Sequence, residues 1–152
     1  MKELHVSFAS LQDIPGLCIL LGQLFSQEEE FCAQTNLQEK ALYTILQNPN
    51  LGAILVAKID KKVVGMVNLL FTVSTALGDK VILLEDMVVD KEYRNQKIGS
   101  ILLTKAIEYT KENNFLRITL LSDDDNERAH HFYKKHGFEY SARKVFTCKD
   151  LS

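Results

Sequence analysis

The sequence feature that most constrains the fold is the segment 81–89, which is apolar at both of its alternating positions. It reads Val-Ile-Leu-Leu-Glu-Asp-Met-Val-Val, so a strand formed here would carry apolar side chains on both of its faces. Strands of this kind are buried on both faces, as in a sheet that is covered by helices on each side. The segment therefore predicts a layered α/β protein.

Periodicity along the rest of the chain predicts further helices and strands. Strands are predicted over 4–8, 53–57, 63–73 and 116–121, with a hairpin at 59–63. Helices are predicted over 11–25, 37–46, 98–113 and 126–135, the first with Asp13 as its cap and Pro15 in its first turn. The tail over 138–148 is predicted to add one or two final strands. This order predicts an α/β (α+β) fold, with a central mixed, mostly antiparallel sheet and helices on both faces.

Length and composition favour a single domain over residues 1–152. Apolar residues make up 46% of the chain, which argues against intrinsic disorder, and 18 basic residues nearly balance 20 acidic ones, which argues against a nucleic-acid partner. No apolar run approaches the roughly 18 residues of a membrane span, and the N-terminus lacks a secretory signal. We therefore expect a cytoplasmic protein with no membrane partner.

The cysteines and histidines do not form a recognisable metal site. Cys18, Cys32 and Cys148 are widely spaced and contain no CxxC pair, and the four histidines do not complete a zinc set with them. The sequence predicts free thiols in a reducing compartment and no bound metal.

The junction that follows segment 81–89 is the first candidate binding site. Residues 90–97 form a short polar turn, and a helix is predicted to begin at Ile98. The free amides and the positive dipole end of a helix N-terminus suit a phosphate, and Arg94 and Lys97 add positive charge. From this stretch alone, a solvated turn in which Gly99 allows close helix packing is an equally good interpretation.

Two stretches of the chain resemble motifs of the GNAT superfamily of acyl-CoA-dependent N-acetyltransferases. Segment 94–99, Arg-Asn-Gln-Lys-Ile-Gly, is similar to the pyrophosphate loop of motif A, which reads Arg/Gln-x-x-Gly-x-Gly/Ala. Segment 125–138 is similar to motif B in order and spacing, and the resemblance is specific over 81–140. Lys97 stands where the family usually has glycine. A positive φ there would strain a lysine, whereas a helical conformation would accept it and let its ammonium reach a phosphate.

The resemblance implies a GNAT-like fold and a site for acetyl-CoA. Backbone groups of Met87, Val88 and Val89 would pair with the pantetheine arm, which Asn126 would also contact. The loop that would hold the pyrophosphate consists of Arg94, Asn95, Gln96, Lys97, Ile98, Gly99 and Ser100.

The transfer of an acetyl group from a thioester to an amine needs an acid and a base. Tyr133, which the resemblance puts near the thioester sulfur, is the candidate general acid, and packing beside Phe132 is the structural alternative. Glu85 and Asp86 lie inside the apolar segment, and strand alternation predicts that they face opposite sides of the sheet. Burial of a carboxylate is costly unless a partner or a function compensates the cost. Glu85 is therefore the candidate base, acting directly or through a water. It is also a candidate substrate contact. A structural hydrogen bond to backbone amides is the alternative role.

The resemblance implies acetyl transfer from acetyl-CoA to a primary amine by direct attack in a ternary complex. The sequence over 84–94 looks most like diamine and small-molecule acetyltransferases, which favours a small-molecule amine. Glu28 and Asp123, from two acidic runs, are further candidate substrate contacts. The alternatives are a protein N-terminal or lysine acetyltransferase, and a non-catalytic CoA-binding sensor module. A homodimer that pairs through an edge strand is also an expectation.

Overall fold

The structure is a computed structural model that describes residues 3–26 and 35–151. Its strands are β1 (Leu4–Phe8), β2 (Gly52–Ile59), β3 (Lys62–Ser74), β4 (Asp79–Val89) and β5 (Ile118–Leu120). Its helices are α1 (Ile14–Phe25), α2 (Thr35–Gln47), α3 (Ile98–Glu112) and α4 (Glu127–Lys135), with short 3-10 turns at Leu11–Asp13 and Lys91–Tyr93. The chain divides into two compact units between Leu121 and Ser122.

The first unit contains a five-stranded sheet in the order β1-β2-β3-β4-β5. All neighbours are antiparallel except β4 and β5, which are parallel and are joined through α3. The β2–β3 hairpin turns at Asp60 and Lys61, which both have positive φ, as a two-residue hairpin with the native strand twist requires. The prediction of a mixed, mostly antiparallel sheet is confirmed.

Helices cover both faces of this sheet, as predicted. On one face, α1 and α2 pack against Ile54, Met66 and Val88, and this cluster is almost fully buried. On the other face, α3 crosses β3 so closely that a methyl group added at Gly65 would lie 2.8 Å from Leu102 Cδ1. The two layers of helix bury both sides of β2, β3 and β4, which explains their nearly continuous apolar sequence.

The N-terminus of α1 differs in one detail from the prediction. Asp13 makes no side-chain cap bond to α1, because its carboxylate accepts the backbone N–H of Ser10 at 2.8 Å. The same buried carboxylate forms an ion pair with Lys58, whose Nζ lies 2.7 Å from Asp13 Oδ1. Pro15 lies in the first helical turn, as predicted. The ion pair ties the start of α1 to β2.

The prediction of final strands over 138–148 is wrong. Residues 138–151 are described and contain no strand or helix. The apolar side chains that suggested strands are exposed, including Val145 and Phe146. A strand needs a neighbouring backbone to complete its hydrogen bonds, and the alternation of side chains does not supply one. The predicted fifth strand, 116–121, is likewise shorter and pairs only over Ile118–Leu120.

None of the helices in the described ranges is long and apolar enough to cross a bilayer. Of the two cysteines that the structure describes, Cys18 is a buried free thiol and Cys148 is an exposed one.

Candidate active site

A β-bulge interrupts β4, the fourth of the five strands in the sheet. Met66 pairs with Val88 and Asn68 pairs with Glu85, so two steps along β3 correspond to three steps along β4. The extra residue is accommodated at Asp86, whose φ of 53° lies in the left-handed region. Residues in register share a face, so Glu85 lies on the same face as Val88. The regular alternation on which the prediction for Glu85 and Asp86 depended is therefore interrupted between Glu85 and Val88.

The bulge brings two carboxylates and a buried amide together. Asn68 Nδ2 donates a hydrogen bond to Asp86 Oδ2 at 3.1 Å, and Asn68 is only 4% exposed. Glu85, the register partner of Asn68, is exposed at the surface of the sheet, whereas Asp86 is half-buried. Asn68 is thus bonded through its side chain to Asp86 and paired through its backbone register with Glu85.

Both carboxylates of the bulge hold their protons more tightly than usual. Loss of hydration raises the pKa of Glu85, and the neighbouring charge of Asp86 raises it further. Burial raises the pKa of Asp86 as well, and the hydrogen bond from Asn68 only partly offsets this rise. A carboxylate with a raised pKa is a better proton acceptor than an ordinary one, which suits Glu85 to the role of a base.

β4 loses its parallel neighbour just before the bulge. The ladder between β4 and β5 runs from the pair Ile82–Ile118 to the pair Leu84–Leu120 and ends there. The segment that would pair with a pantetheine arm, Met87, Val88 and Val89, lies beyond the end of this ladder. An extended ligand with amide groups can add to a strand edge of this kind.

The polar turn after β4 is held at its start by hydrogen bonds. The buried carboxylate of Asp90 accepts the backbone N–H of Glu92 at 2.9 Å, and the backbone N–H of Asp90 donates to the Val64 carbonyl at 2.8 Å. Lys62 Nζ lies 3.9 Å from Asp90 Oδ2 and 5.1 Å from the centre of the Tyr93 ring. The 3-10 turn Lys91–Tyr93 is thereby fixed to β3.

The second half of the turn contains two residues in the left-handed region. Asn95 and Lys97 both have a φ of 65°, and Lys97 is the N-terminal flanking residue of α3. Of the two conformations considered for Lys97, the structure shows the strained one. Arg94 Nε donates to the Val89 carbonyl at 3.4 Å, a contact that uses one of the five guanidinium donors. Gln96 and Lys97 are exposed, Ile98 is buried, and Gly99 and Ser100 are half-buried in the first turn of the helix.

The second unit carries the residues of the predicted motif B. Asn126 caps α4 by accepting the backbone N–H of Ala129 at 3.1 Å, and Gly137, with a φ of 95°, follows the end of the helix. Tyr133 is half-buried, and its ring packs edge-on against Phe132 and Phe138. Burial raises the pKa of the Tyr133 phenol above its ordinary value, so this group is protonated at neutral pH.

Asp123, a further candidate for substrate contact, belongs to the second unit. Asp123 is exposed, and its carbonyl accepts the backbone N–H of Asn126 and contacts His130 Nε2 at 2.8 Å. Glu28 lies outside the described residues. Over residues 3–26 and 35–151, no group of His, Cys, Asp or Glu could hold a metal ion.

Sequence reasoning missed Asn68 and Asp90. Asn68 is a polar residue within a long apolar strand, and this is the signal by which it could have been found. Asp90 precedes a turn and can be recognised as a cap only once the end of β4 is known.

These features define an α/β protein with a bulge in the fourth strand of its sheet and a polar loop at the junction between that strand and the helix that follows. A family model described as "Acetyltransferase (GNAT) family" matches residues 20–138. The chain belongs to this family.

Two sequence relatives and one solved structure illustrate the similarity. Streptothricin acetyltransferase A of Bacillus subtilis (strain 168) is 50% identical over 56 residues, which cover 37% of this chain and 32% of that protein. The match therefore spans about a third of the length of that relative. The uncharacterized N-acetyltransferase YhfO of the same strain is 29% identical over 86% of this chain and 89% of that protein. A predicted acetyltransferase from Clostridium acetobutylicum, solved with acetyl-CoA, has the same fold: its TM-score is 0.81 at 16% identity, covering 96% of each chain.

Proposed function

We propose that the protein transfers an acetyl group from acetyl-CoA to a primary amine, with a small-molecule amine as the favoured acceptor. The observation that carries this proposal is the end of the β4–β5 ladder at Leu84, directly beside the carboxylates of the bulge. At the end of this ladder, the strand edge that would bind the pantetheine arm lies next to side chains that can accept a proton. The family membership and the relative solved with acetyl-CoA support the choice of donor.

The residues present fit acetyl-CoA, which supplies the activated acetyl group when bound. Backbone groups of Met87, Val88 and Val89 would bind the amides of the pantetheine arm, and Asn126 would contact the same arm. The pyrophosphate would be held by Arg94, Asn95, Gln96, Lys97, Ile98, Gly99 and Ser100. The first-turn amides of α3 suit an anion because they have no acceptor within the helix.

The chemistry requires two proton movements. The amine nitrogen attacks the thioester carbonyl in a ternary complex, a C–N bond forms and the C–S bond breaks. Glu85, directly or through a water, would take the proton that the nitrogen loses, and its raised pKa supports this role. Tyr133 would give its phenolic proton to the departing thiolate. No acyl-enzyme is formed along this route.

Two observations favour a small-molecule acceptor. The sequence over 84–94 looks most like diamine and small-molecule acetyltransferases. A 56-residue stretch of the chain is 50% identical to a protein named streptothricin acetyltransferase A. Glu28 and Asp123 are proposed, with Glu85, as substrate contacts.

The test is a screen in which the protein is incubated with acetyl-CoA and a panel of amines while free thiol is followed. We expect thiol release with at least one primary amine and a melting temperature that acetyl-CoA raises. Pantetheine, which lacks the pyrophosphate, should raise it far less. Equal stabilisation by both compounds would contradict the pyrophosphate loop. Transfer to a peptide amine alone would favour a protein acetyltransferase.

One observation favours a CoA-binding module without catalysis, namely the strained lysine in the loop. Stabilisation by acetyl-CoA without thiol release from any amine in the panel would support that second candidate.

Tyr133→Phe tests the general acid. The variant keeps the ring and its packing on Phe132 and Phe138 but removes the proton. Turnover should fall by about 10²–10⁴-fold, whereas affinity for acetyl-CoA should change little, because the proton acts in the transition state. Phe132→Leu is the matched packing control. Weakened acetyl-CoA binding with preserved turnover in Tyr133→Phe would make Tyr133 a binding residue.

A further inference from the structure

We propose that Gln23, on α1, is a positioning residue for acetyl-CoA, because its side-chain carbonyl holds the turn that leads into the loop over 94–100. Gln23 Oε1 accepts the backbone N–H of Lys91 at 3.0 Å, across 68 positions of the chain. The inference rests on the proposed function, in which that loop would hold the pyrophosphate. It adds a residue on a distant element that the motif resemblance does not assign.

The first support is the polar character of Gln23 within an apolar helix. α1 reads Ile-Pro-Gly-Leu-Cys-Ile-Leu-Leu-Gly-Gln-Leu-Phe, so Gln23 is its one residue with an amide, hydroxyl or charged side chain. Leu20 and Leu21 are buried, and Leu24 packs against the same core. Gln23 itself is half-buried. A polar side chain that loses hydration needs a hydrogen-bond partner, and the Lys91 amide is that partner.

The second support is the hydrogen bonding of the turn that follows Asp90. The Asp90 carboxylate accepts the N–H of Glu92 at 2.9 Å, and the Asp90 carbonyl accepts that of Tyr93 at 2.8 Å. A capping side chain reaches the second or third amide of a turn, so the first amide, that of Lys91, needs an acceptor from outside the turn. Gln23 supplies this acceptor and completes the set of partners for the three amides.

The third support is the strain of the loop itself. Asn95 and Lys97 both have a φ of 65°, a conformation that persists in L-residues where the surrounding structure imposes it. The loop leads into α3 at the buried Ile98. Its start is fixed to β3 by the Asp90 amide, which donates to a carbonyl of that strand at 2.8 Å, and to α1 by Gln23. The contact with α1 therefore helps to impose the strained conformation.

The consequence is a loop whose amides are preorganised for an anion. A loop that must be ordered when its ligand arrives loses affinity by the cost of that ordering. Removal of the Gln23 acceptor should therefore weaken the binding of a ligand that carries a pyrophosphate. The affinity for pantetheine, which has no pyrophosphate, should not change. The turnover number should also stay the same, because the contact acts on binding and not on the transfer step.

The experiment measures the acetyl-CoA and pantetheine affinities of the full chain by calorimetric titration, and the exchange of the Lys91 amide by nuclear magnetic resonance. Gln23→Met keeps the length of the side chain and replaces its amide by an apolar group. Gln23→Glu keeps an acceptor oxygen, and it is compared with the wild type at high salt, which screens its added charge. Gln47→Met, at the exposed end of α2, is the matched control.

We expect Gln23→Met to bind acetyl-CoA about 2- to 5-fold more weakly than the wild type, which is the scale of one exposed hydrogen bond. Its Lys91 amide should exchange faster. The Michaelis constant for acetyl-CoA should rise in parallel, with the turnover number and the pantetheine affinity unchanged. Gln23→Glu at high salt and Gln47→Met should behave like the wild type. A merely structural role for Gln23 would instead weaken the binding of both ligands to the same extent.

The outcomes separate this inference from the proposed function. Acetyl transfer with an unchanged acetyl-CoA affinity in Gln23→Met overturns the positioning role and leaves the transferase intact. A weakened acetyl-CoA affinity that Gln23→Glu restores, without thiol release from any amine, overturns the transferase and leaves the positioning role. Equal weakening of acetyl-CoA and pantetheine binding, or a Gln23→Glu variant as weak as Gln23→Met, also overturns the positioning role. If Gln23→Met does not fold, Gln23→Ala decides, with Gln47→Ala as its control.

Discussion

Lys97 occupies a backbone conformation that costs an L-residue about 1–2 kcal/mol and costs glycine little. Lys97→Gly should therefore raise the free energy of unfolding by about 0.5–1 kcal/mol, once the greater flexibility of glycine in the unfolded chain is subtracted. Urea denaturation measures this change. A variant that is less stable than the wild type would contradict the strain.

The control for this substitution is Lys97→Ala, which keeps the strained backbone and removes only the ammonium. If the ammonium contacts a phosphate, Lys97→Ala should bind acetyl-CoA more weakly and with a smaller dependence on salt. If the lysine merely strains the turn, Lys97→Gly should bind acetyl-CoA more tightly than the wild type. If both variants bind acetyl-CoA as tightly as the wild type, the replacement of the family's usual glycine by Lys97 has no effect on acetyl-CoA binding.

The ionisation of Asp86 makes the stability of the protein fall as the pH rises. Burial raises its pKa in the folded state above the ordinary value of 3.8, so the folded state holds this proton more tightly than the unfolded chain. Its contribution to stability is thus complete below pH 3.8 and is lost as the pH rises through the folded pKa. As the pH rises through this range, the free energy of unfolding of Asp86→Asn should therefore increase progressively relative to that of the wild type. Urea denaturation at a series of pH values measures the difference.

Asp13 provides a control of opposite sign. Burial alone would raise the pKa of Asp13, but the contacts from Lys58 and Ser10 outweigh burial and lower it. Its contribution is present above pH 3.8 and is lost as the pH falls through the folded pKa. Asp13→Asn should therefore be less stable than the wild type at neutral pH, and acid should narrow the gap. If the difference for Asp86→Asn does not vary with pH, the assigned shift is wrong.

At the scale of elements, the position of α3 depends on the absence of a side chain at Gly65. A methyl group there would lie 2.8 Å from Leu102 Cδ1 and 3.3 Å from Ile98 Cγ2, and both side chains are buried. Gly65→Ala should destabilise the protein by about 1–3 kcal/mol. It should also weaken acetyl-CoA binding, because α3 begins directly after the loop. Urea denaturation and acetyl-CoA titration measure the two effects.

Gly22→Ala is the matched control, since no atom of the residues that the structure describes lies within 4 Å of the added methyl group on α1. It should stabilise the protein by about 0.5–1 kcal/mol, as expected of alanine in place of glycine in a helix. If Gly65→Ala matched Gly22→Ala in stability, the packing of α3 on β3 would be looser than the distances indicate.

Elements with strong periodicity were predictable from the sequence, and those decided by distant pairing were not. β1 and α1 to α4 lie where the apolar spacing indicated, because burial on one face dictates that spacing. The tail has a similar pattern, but no strand forms there without a backbone partner. The bulge at Asp86 was not predictable, because it arises from a mismatch between β3 and β4.

The candidate site was predictable only in part for the same reason. The loop over 94–100 follows β4 directly, so a local motif reveals it. The contact between Asn68 and Asp86 joins residues of two strands and becomes visible only when their register is known. The left-handed conformation of Lys97 was one of two alternatives that the sequence left open.

At the scale of the whole molecule, the two units carry different parts of the predicted machinery. The bulge and the loop belong to the first unit, and Asn126 and Tyr133 belong to the second. A single domain over 1–152, a cytoplasmic location and a homodimer stay predictions. If the chain is one domain, calorimetry should give a single transition that acetyl-CoA shifts as a whole.

The order of the strands in the sheet also predicts the order in which they pair during folding. β2, β3 and β4 follow one another through short turns, so their contacts close small loops and can form early. Among the described strands, β1 pairs only with β2, and this pairing brings Leu4 opposite Ile59 and Phe8 opposite Leu55 across the whole helical segment between them. We expect its amides to exchange with solvent faster than those of β3, as measured by native-state hydrogen exchange. Equal protection of the two strands would contradict this order. Among the strands of this sheet, β1 is synthesised first and would thus be the last to pair with its neighbour.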